Sequence, residues 1–282
     1  MKKRTSYTTT KMSVQILTYA ALILFLLISI LPIYWMWQAS LAPRFDLIRD
    51  PFSFPGRLTF ENLQQAWLTG RMGDYFFNSV FVAIVRVSGV LFLSCLAGYA
   101  FGKLKFAFRD IIFRFMLFGM MIPISAMIIP IYYNISRMGL INNRFGIILP
   151  YFGLSMPFAT FMMRSFFRDL PTELMDASRV DGCNEFSTFF RVMLPLVMPA
   201  VTSLLVFEFM WSWNDFFLPM MIIYRDSIRT LPLGLMYFSG KYTANYSLLA
   251  AGVTICSLPI IVIYTIFQRK FVEGLTSGAV KG

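Results

Sequence analysis

Six long apolar runs divide this chain, and they constrain its fold more than any other feature. They extend from about Ile16 to Trp37, Phe77 to Phe101, Ile111 to Tyr133, Ile147 to Phe167, Leu196 to Ile222 and Tyr246 to Phe267. A run of about 20 apolar residues matches the thickness of a bilayer's hydrocarbon core when coiled as a helix. In hydrocarbon every backbone N–H and C=O must find a partner within the protein, so only helices and closed barrels cross it. Strands of a barrel need about 9–11 residues, and these runs are twice that length. The fold class that follows is all-α integral membrane, with six transmembrane helices in a single transmembrane domain over residues 1–282. The composition agrees: 57% of residues are hydrophobic and 14% are charged, against about 25% charged in soluble domains.

The first run follows Lys2, Lys3 and Arg4, as a signal peptide does, and Ala39-Ser40-Leu41-Ala42 faintly resembles a cleavage site. Its apolar stretch exceeds the usual signal length of about 7–15 residues. It also ends in Tyr34, Trp35 and Trp37, which suit the aromatic belt at a membrane interface. It reads as a retained helix. An even number of spans puts both termini on one side. On that side fall 15 of the 25 basic residues, against 9 on the other, with Arg86 inside a helix. The excess of Lys and Arg marks the cytoplasm. Residues 39–76 then form an extracytoplasmic loop, broken by Pro43, Pro51, Pro55, Gly56 and Gly70. Within it, residues 59–67 can form a short surface helix capped by Thr59.

Several functions are excluded at this stage. The net charge of +11 is spread between apolar runs instead of gathered in one stripe, which argues against nucleic-acid binding. The chain contains no histidine, which removes most zinc sites and His-activated nucleophiles. Cys95, Cys183 and Cys256 show neither metal-ligand spacing nor a disulfide framework. No metal site and no catalytic constellation is expected. The chain also lacks the GxxxxGK[ST] phosphate loop, so it binds no nucleotide through that motif.

The stretch between the fourth and fifth runs, residues 169–196, is the most informative. Pro171 suits the first turn of a helix, and Glu173 and Asp176 fall in the early turns, where the helix dipole favours acids. Leu174, Ala177 and Val180 recur at helical spacing, and Gly182 can take the left-handed conformation that ends a helix. A second helix should follow. Phe186, Phe189, Phe190, Met193 and Leu194 lie on one apolar face, and Pro195 and Pro199 mark entry into the membrane.

This loop resembles the EAA loop of ABC importer permeases. The family pattern is Glu-Ala-Ala, three residues, Gly, nine residues, Ile, one residue, Leu-Pro. The chain has Asp176-Ala177-Ser178, then Gly182, Val192 and Leu194-Pro195 at the same spacing. Asp stands for Glu, Ser for the second Ala and Val for Ile. The resemblance continues through Asn78-Ser79 at the opening of the second run and Gly98-Tyr99-Ala100-Phe101 at its close. It takes in Pro123, Pro130, Met138-Gly139-Leu140-Ile141-Asn142 and Trp213-Asn214-Asp215, and ends in the tail from Gln268 to Gly282. Together these are similar to the second, six-helix permease of the carbohydrate-uptake (maltose-type) branch.

The resemblance implies a type I ABC importer permease fold in a bacterial plasma (inner) membrane. It also implies a homologous second permease, two ATP-binding subunits that use ATP and Mg, an extracytoplasmic solute-binding protein and a sugar substrate. No cofactor is bound by this chain, and the chain is not an enzyme. Glu173, Asp176, Ala177, Ser178, Asp181 and Gly182 become ATPase-coupling residues. Arg86, Glu208, Trp213, Asn214 and Asp215 fall within or near apolar helices, where a charge is costly and functional by default. They fit a sugar path, offering amide, carboxylate and aromatic contacts. Arg86 and Glu208 fit equally a structural pair or a contact with the second permease. The competing class is an ion-coupled secondary transporter with Glu208 and Asp215 as its ion site.

Overall fold

The computed structural model describes residues 3–49, 56–238 and 245–279. Lys2, Pro51, Pro55, Lys241 and the end of the tail, Val280 to Gly282, lie outside the described residues, as do the side chains of Val272 to Ala279. No strand occurs among the described residues. The helices, in order, are α1 (Lys3–Leu41), α2 (Arg44–Arg49), α3 (Glu61–Leu68), α4 (Met72–Lys103), α5 (Arg109–Phe118), α6 (Ile124–Arg137) and α7 (Arg144–Asp169). They continue with α8 (Glu173–Val180), α9 (Glu185–Thr188), a widened π turn (Phe189–Met193), α10 (Leu194–Leu196), α11 (Met198–Trp213), α12 (Phe217–Ile222), α13 (Leu231–Gly234) and α14 (Tyr246–Ala279).

Among the described residues, four helices are long and apolar enough to cross a bilayer, over Val14–Leu41, Met72–Lys103, Arg144–Asp169 and Tyr246–Arg269. Two bent pairs bring the number to six if each is counted as one span. The first joins Arg109–Met121 to Ile124–Arg137 at 101°, and the second joins Glu185–Leu196 to Met198–Trp213 at 77°. The straight third span expected from the sequence is therefore broken. Its cause is Pro123: the residue before it, Ile122, is extended (φ −89°, ψ 118°), as proline demands of its predecessor. The fifth run is likewise interrupted at Asn214, and α12 resumes only at Phe217. The second run starts earlier than expected, at Met72, because Arg71 turns the chain with a left-handed φ of 57°. Asn78 and Ser79 therefore lie in its second turn, both buried.

The chain divides into two compact units. In the first, Met1–Gly70 with Tyr237–Ile255, Asn62 ties α3 to the end of α1 by donating to the carbonyls of Ser40 (3.1 Å) and Ala42 (2.8 Å). The N-cap of α3 is Phe60 and not the expected Thr59; Thr59, one residue earlier, accepts a bond from the Glu61 N–H at 3.2 Å.

The second unit, Arg71–Met236 with Cys256–Gly282, is built on α4. Its main partner is α7, and the contact depends on small residues. A Cβ at Gly98 would lie 2.5 Å from the Met163 Cβ and 2.9 Å from the Arg164 nitrogen, and one at Gly102 would lie 3.2 Å from the Arg164 carbonyl. Glycines one turn apart let two backbones approach this closely. One core of this unit gathers Tyr99 of α4, Met163 and Phe167 of α7, and Met175, Phe189 and Met193 of the following loop.

At the opposite end, hydrogen bonds pin the segment after α12. Asn78 donates to the carbonyls of Ser227 (3.0 Å) and Arg229 (2.9 Å) and accepts from Arg144 (2.6 Å). Asp226 pairs with Arg71 at 2.6 Å and accepts from the Tyr75 hydroxyl at 2.8 Å.

Candidate functional site

Two places collect the polar residues singled out by the sequence. The first is the loop after α7. Helix α8 ends in a turn that uses the freedom of Gly182 (φ +81°). The Cys183 N–H reaches the Ser178 carbonyl at 2.9 Å and the Gly182 N–H reaches the Arg179 carbonyl at 3.0 Å, the paired bonds of a Schellman stop. Asn184 then caps α9 by accepting from the Ser187 N–H at 2.8 Å.

The inward face of α8 is Met175 and Ser178, 1% and 4% exposed. The expected face of Leu174, Ala177 and Val180 is turned: Leu174 is half-buried, Ala177 is exposed and Val180 is 88% exposed. In the second helix Phe189 and Met193 are buried, whereas Phe186 and Phe190 are exposed. The single apolar face read from the spacing is thus divided in two, because the π turn at Phe189–Met193 breaks the 3.6-residue period.

Of the six residues expected to couple to an ATPase, Glu173, Asp176, Ala177, Asp181 and Gly182 are exposed and Ser178 is buried. The Ser178 hydroxyl shares a 2.8 Å hydrogen bond with Thr188 and donates to the Met175 carbonyl at 2.7 Å, so it staples α8 to α9. Glu173, Asp176, Ala177 and Val180, at i, i+3, i+4 and i+7, form one outward face that mixes acidic and apolar groups. Arg179 bridges the two helices, bonding Asp176 at 3.2 Å and Glu185 at 2.7 Å. The Glu185 hydrogen bond raises the Arg179 guanidinium pKa above its ordinary value. The sequence reading missed Arg179 and Glu185 as partners, since charges six residues apart across a turn carry no periodic signal.

The second place is a cavity of about 470 Å³ among α4, α7, the α5–α6 break and the α11–α12 break, bordered by Arg86, Tyr151, Ser155, Trp211, Asn214 and Asp215. Arg86 and Glu208, 3% and 0% exposed, pair at 3.6 Å. The Ser155 hydroxyl donates to the same Glu208 oxygen at 2.9 Å, leaving Oε1 of Glu208 and Nε of Arg86 buried without a partner. The Arg86 guanidinium lies 3.5 Å over the Tyr151 ring, and Asp215 borders the same cavity. Arg86, Asn214 and Asp215 therefore border one cavity, and Glu208 stands behind them, paired with Arg86.

Trp213 does not border the cavity. It is 2% exposed, packs on Phe209 and Phe76, and donates its indole N–H to the Cys256 carbonyl at 2.9 Å. The aromatic wall is Trp211 with Phe158, their rings 5.2 Å apart. A second hollow, of about 550 Å³, shares Trp211 and Asn214 with the first and adds Phe207, Tyr264 and Phe271. Tyr151, Ser155 and Trp211 were not legible beforehand, because a neutral side chain in an apolar run looks like any packing residue.

Residues 91–276 match the model of a family described as the binding-protein-dependent transport system inner membrane component. The chain belongs to this family. Over 264 residues it is 31% identical to the diacetylchitobiose uptake system permease protein NgcG of Streptomyces coelicolor, covering 93% of this chain and 87% of that one. Over 270 residues it is 34% identical to the arabinooligosaccharides transport system permease protein AraQ of Bacillus subtilis, covering 93% and 95%. In fold it is similar to a chain of a bacterial ABC transporter involved in the import of alginate, with a TM-score of 0.82 at 20% identity over 96% of this chain and 99% of that one. A chain of the MetNI methionine ABC transporter gives 0.55 at 17% identity, over 75% and 98%. The protein is thus a multi-pass permease component of a binding-protein-dependent transporter, not an enzyme. The ion-coupled carrier considered from Glu208 and Asp215 is set aside by this membership.

Proposed function

We propose that this chain is one of two permease subunits of an ATP-driven sugar importer in a bacterial inner membrane, with both termini in the cytoplasm. A homologous permease completes the pathway, two ATP-binding subunits use ATP and Mg, and an extracytoplasmic binding protein delivers the sugar. Residues 39–76 face outward and residues 169–196 are the cytoplasmic coupling loop.

The observation that carries the reading is that loop in a member of this family. Two short helices joined at Gly182 present Glu173, Asp176, Ala177 and Val180 to the outside, a mixed acidic and apolar face suited to a groove on an ATPase. Val180 is left bare at 88% exposure. The sugar assignment is supported by relatives named for diacetylchitobiose and arabinooligosaccharides. It is also supported by a cavity that offers Arg86, Asn214 and Asp215 for hydroxyl groups and Trp211 for a sugar face.

The test is gentle extraction of the tagged chain followed by mass spectrometry of the chains bound to it. A second permease and an ATPase should co-purify. Changing Asp176→Lys and Gly182→Pro together should release the ATPase while the second permease stays. A chain that is recovered alone and still transports would overturn the reading.

A further inference from the structure

The coupling loop is tied to the membrane by a connection that packing does not require. Tyr99 lies near the end of α4, 4% exposed, its ring packed on Phe167 (5.6 Å) and Phe189 (5.2 Å). Those contacts alone would bury it. Its hydroxyl nevertheless reaches out of the core and donates to Oε2 of Glu185 at 3.0 Å, across 86 residues of chain. The other oxygen of that carboxylate, Oε1, accepts from Arg179 at 2.7 Å, and Arg179 holds Asp176 on the outward face at 3.2 Å. A chain of polar contacts thus runs from Asp176 through Arg179 and Glu185 to Tyr99. Tyr99 belongs to the same unbroken helix as Arg86, 13 positions away, or about 20 Å along the axis. Arg86 in turn borders the cavity and pairs with Glu208.

We infer that Tyr99 and Glu185 are positioning residues of transport, which pass movement of the coupling loop to α4 and through it to the cavity. The inference rests on the reading of residues 169–196 as the coupling loop. Glu185 is suited to the task because it bonds both neighbours at once, so α8 and α9 cannot shift relative to α4 without stretching a charge-assisted hydrogen bond. The apolar contacts of Phe189 could slide; the Tyr99–Glu185 bond has a direction and a fixed length.

The test uses the whole transporter in proteoliposomes, supplied with its binding protein and ATP, and reads sugar imported per ATP hydrolysed. Tyr99→Phe keeps the ring and removes only the hydroxyl. It should lower the ratio about tenfold, the size expected for one lost hydrogen bond to a charged group, with the ATPase still bound. Glu185→Gln, which keeps an acceptor for the hydroxyl, should retain more coupling than Glu185→Ala. Combining Tyr99→Phe with Glu185→Ala should be no worse than Glu185→Ala alone, because both cut one link.

A normal ratio in Tyr99→Phe would overturn the inference. So would loss of the ATPase from that variant, which would make the bond a shaping element of the docking surface. If the unmodified chain carries no ATPase at all, it is the coupling-loop reading that falls.

Discussion

Removing Arg86 alone should damage this protein far more than removing Arg86 and Glu208 together. The two groups face each other at 3.6 Å with 3% and 0% exposure. At an effective dielectric of about 20 their attraction is on the order of 4–5 kcal/mol, most of it spent in offsetting the loss of water around both charges. Arg86→Met leaves a carboxylate buried with only the Ser155 hydroxyl for company, and an orphaned buried charge costs about 3–5 kcal/mol. Glu208→Leu strands the guanidinium in the same way. The double variant strands neither, and replacing such a pair by apolar groups is often close to neutral. Thermal unfolding of the purified transporter in detergent reads the difference. At about 2–4 °C per kcal/mol, each single variant should melt about 10 °C lower and the double should return to within a few degrees of the parent. Single variants that melt normally, or a double as unstable as the two losses summed, would refute the idea that the pair is held by mutual need. If the double variant is stable but transports poorly, Arg86 acts on the sugar as well as on Glu208.

Four further outcomes follow from the geometry. Gly98→Leu should prevent α4 and α7 from closing, at a cost of about 1–3 kcal/mol or more for the overpacked contact, seen as loss of monodisperse protein in size-exclusion chromatography. Trp213→Phe should cost about 1 kcal/mol of stability for the lost bond to the Cys256 carbonyl and leave the transport KM unchanged, whereas Trp211→Ala should raise the KM. Asn142 sits at φ +56° and accepts from the Tyr224 and Arg225 N–H groups, both at 2.7 Å. Asn142→Ala should therefore lower the melting temperature, and Asn142→Gly should restore the backbone part only. Gly182→Ala forces a Cβ into the left-handed region at about 1–2 kcal/mol and should weaken ATPase co-purification in pull-down assays.

The spans were legible because hydrocarbon imposes one rule along the whole chain, and Ile16, Ile147 and Tyr246 each fall within a helix long enough to cross. Gly182 was legible for a local reason: a left-handed turn admits few other residues. The inward face of α8 was not, because Ala177 and Val180 are as apolar as Met175 and nothing in the spacing says which side meets protein. The bend at Pro123 was concealed because its neighbours are apolar on both sides, so hydropathy reads straight across it. In the cavity, charge alone exposed Arg86, Glu208 and Asp215. Tyr151 and Ser155 join them only through contacts such as the Ser155–Glu208 bond, 53 residues apart in the chain. Trp211 borders the cavity and Trp213 does not for a similar reason: on one helix, two residues apart, they point to opposite sides, and Trp213 donates to the Cys256 carbonyl.

The break at Pro123 also shapes the cavity. The halves on either side, Arg109–Met121 and Ile124–Arg137, are each about 20 Å long, short of a hydrocarbon layer of about 30 Å. Set at 101° to each other, neither half spans it alone. A helix that stops at that depth leaves backbone groups without partners of their own, and lipid cannot supply any. Gly119, Met120, Ile122 and Ile124 border the cavity, so the break lies against a hollow that also holds Arg86, Asn214 and Asp215. A cavity in the membrane, once hydrated, is a standing leak for ions, and stopping the leak falls to whichever surface closes over it.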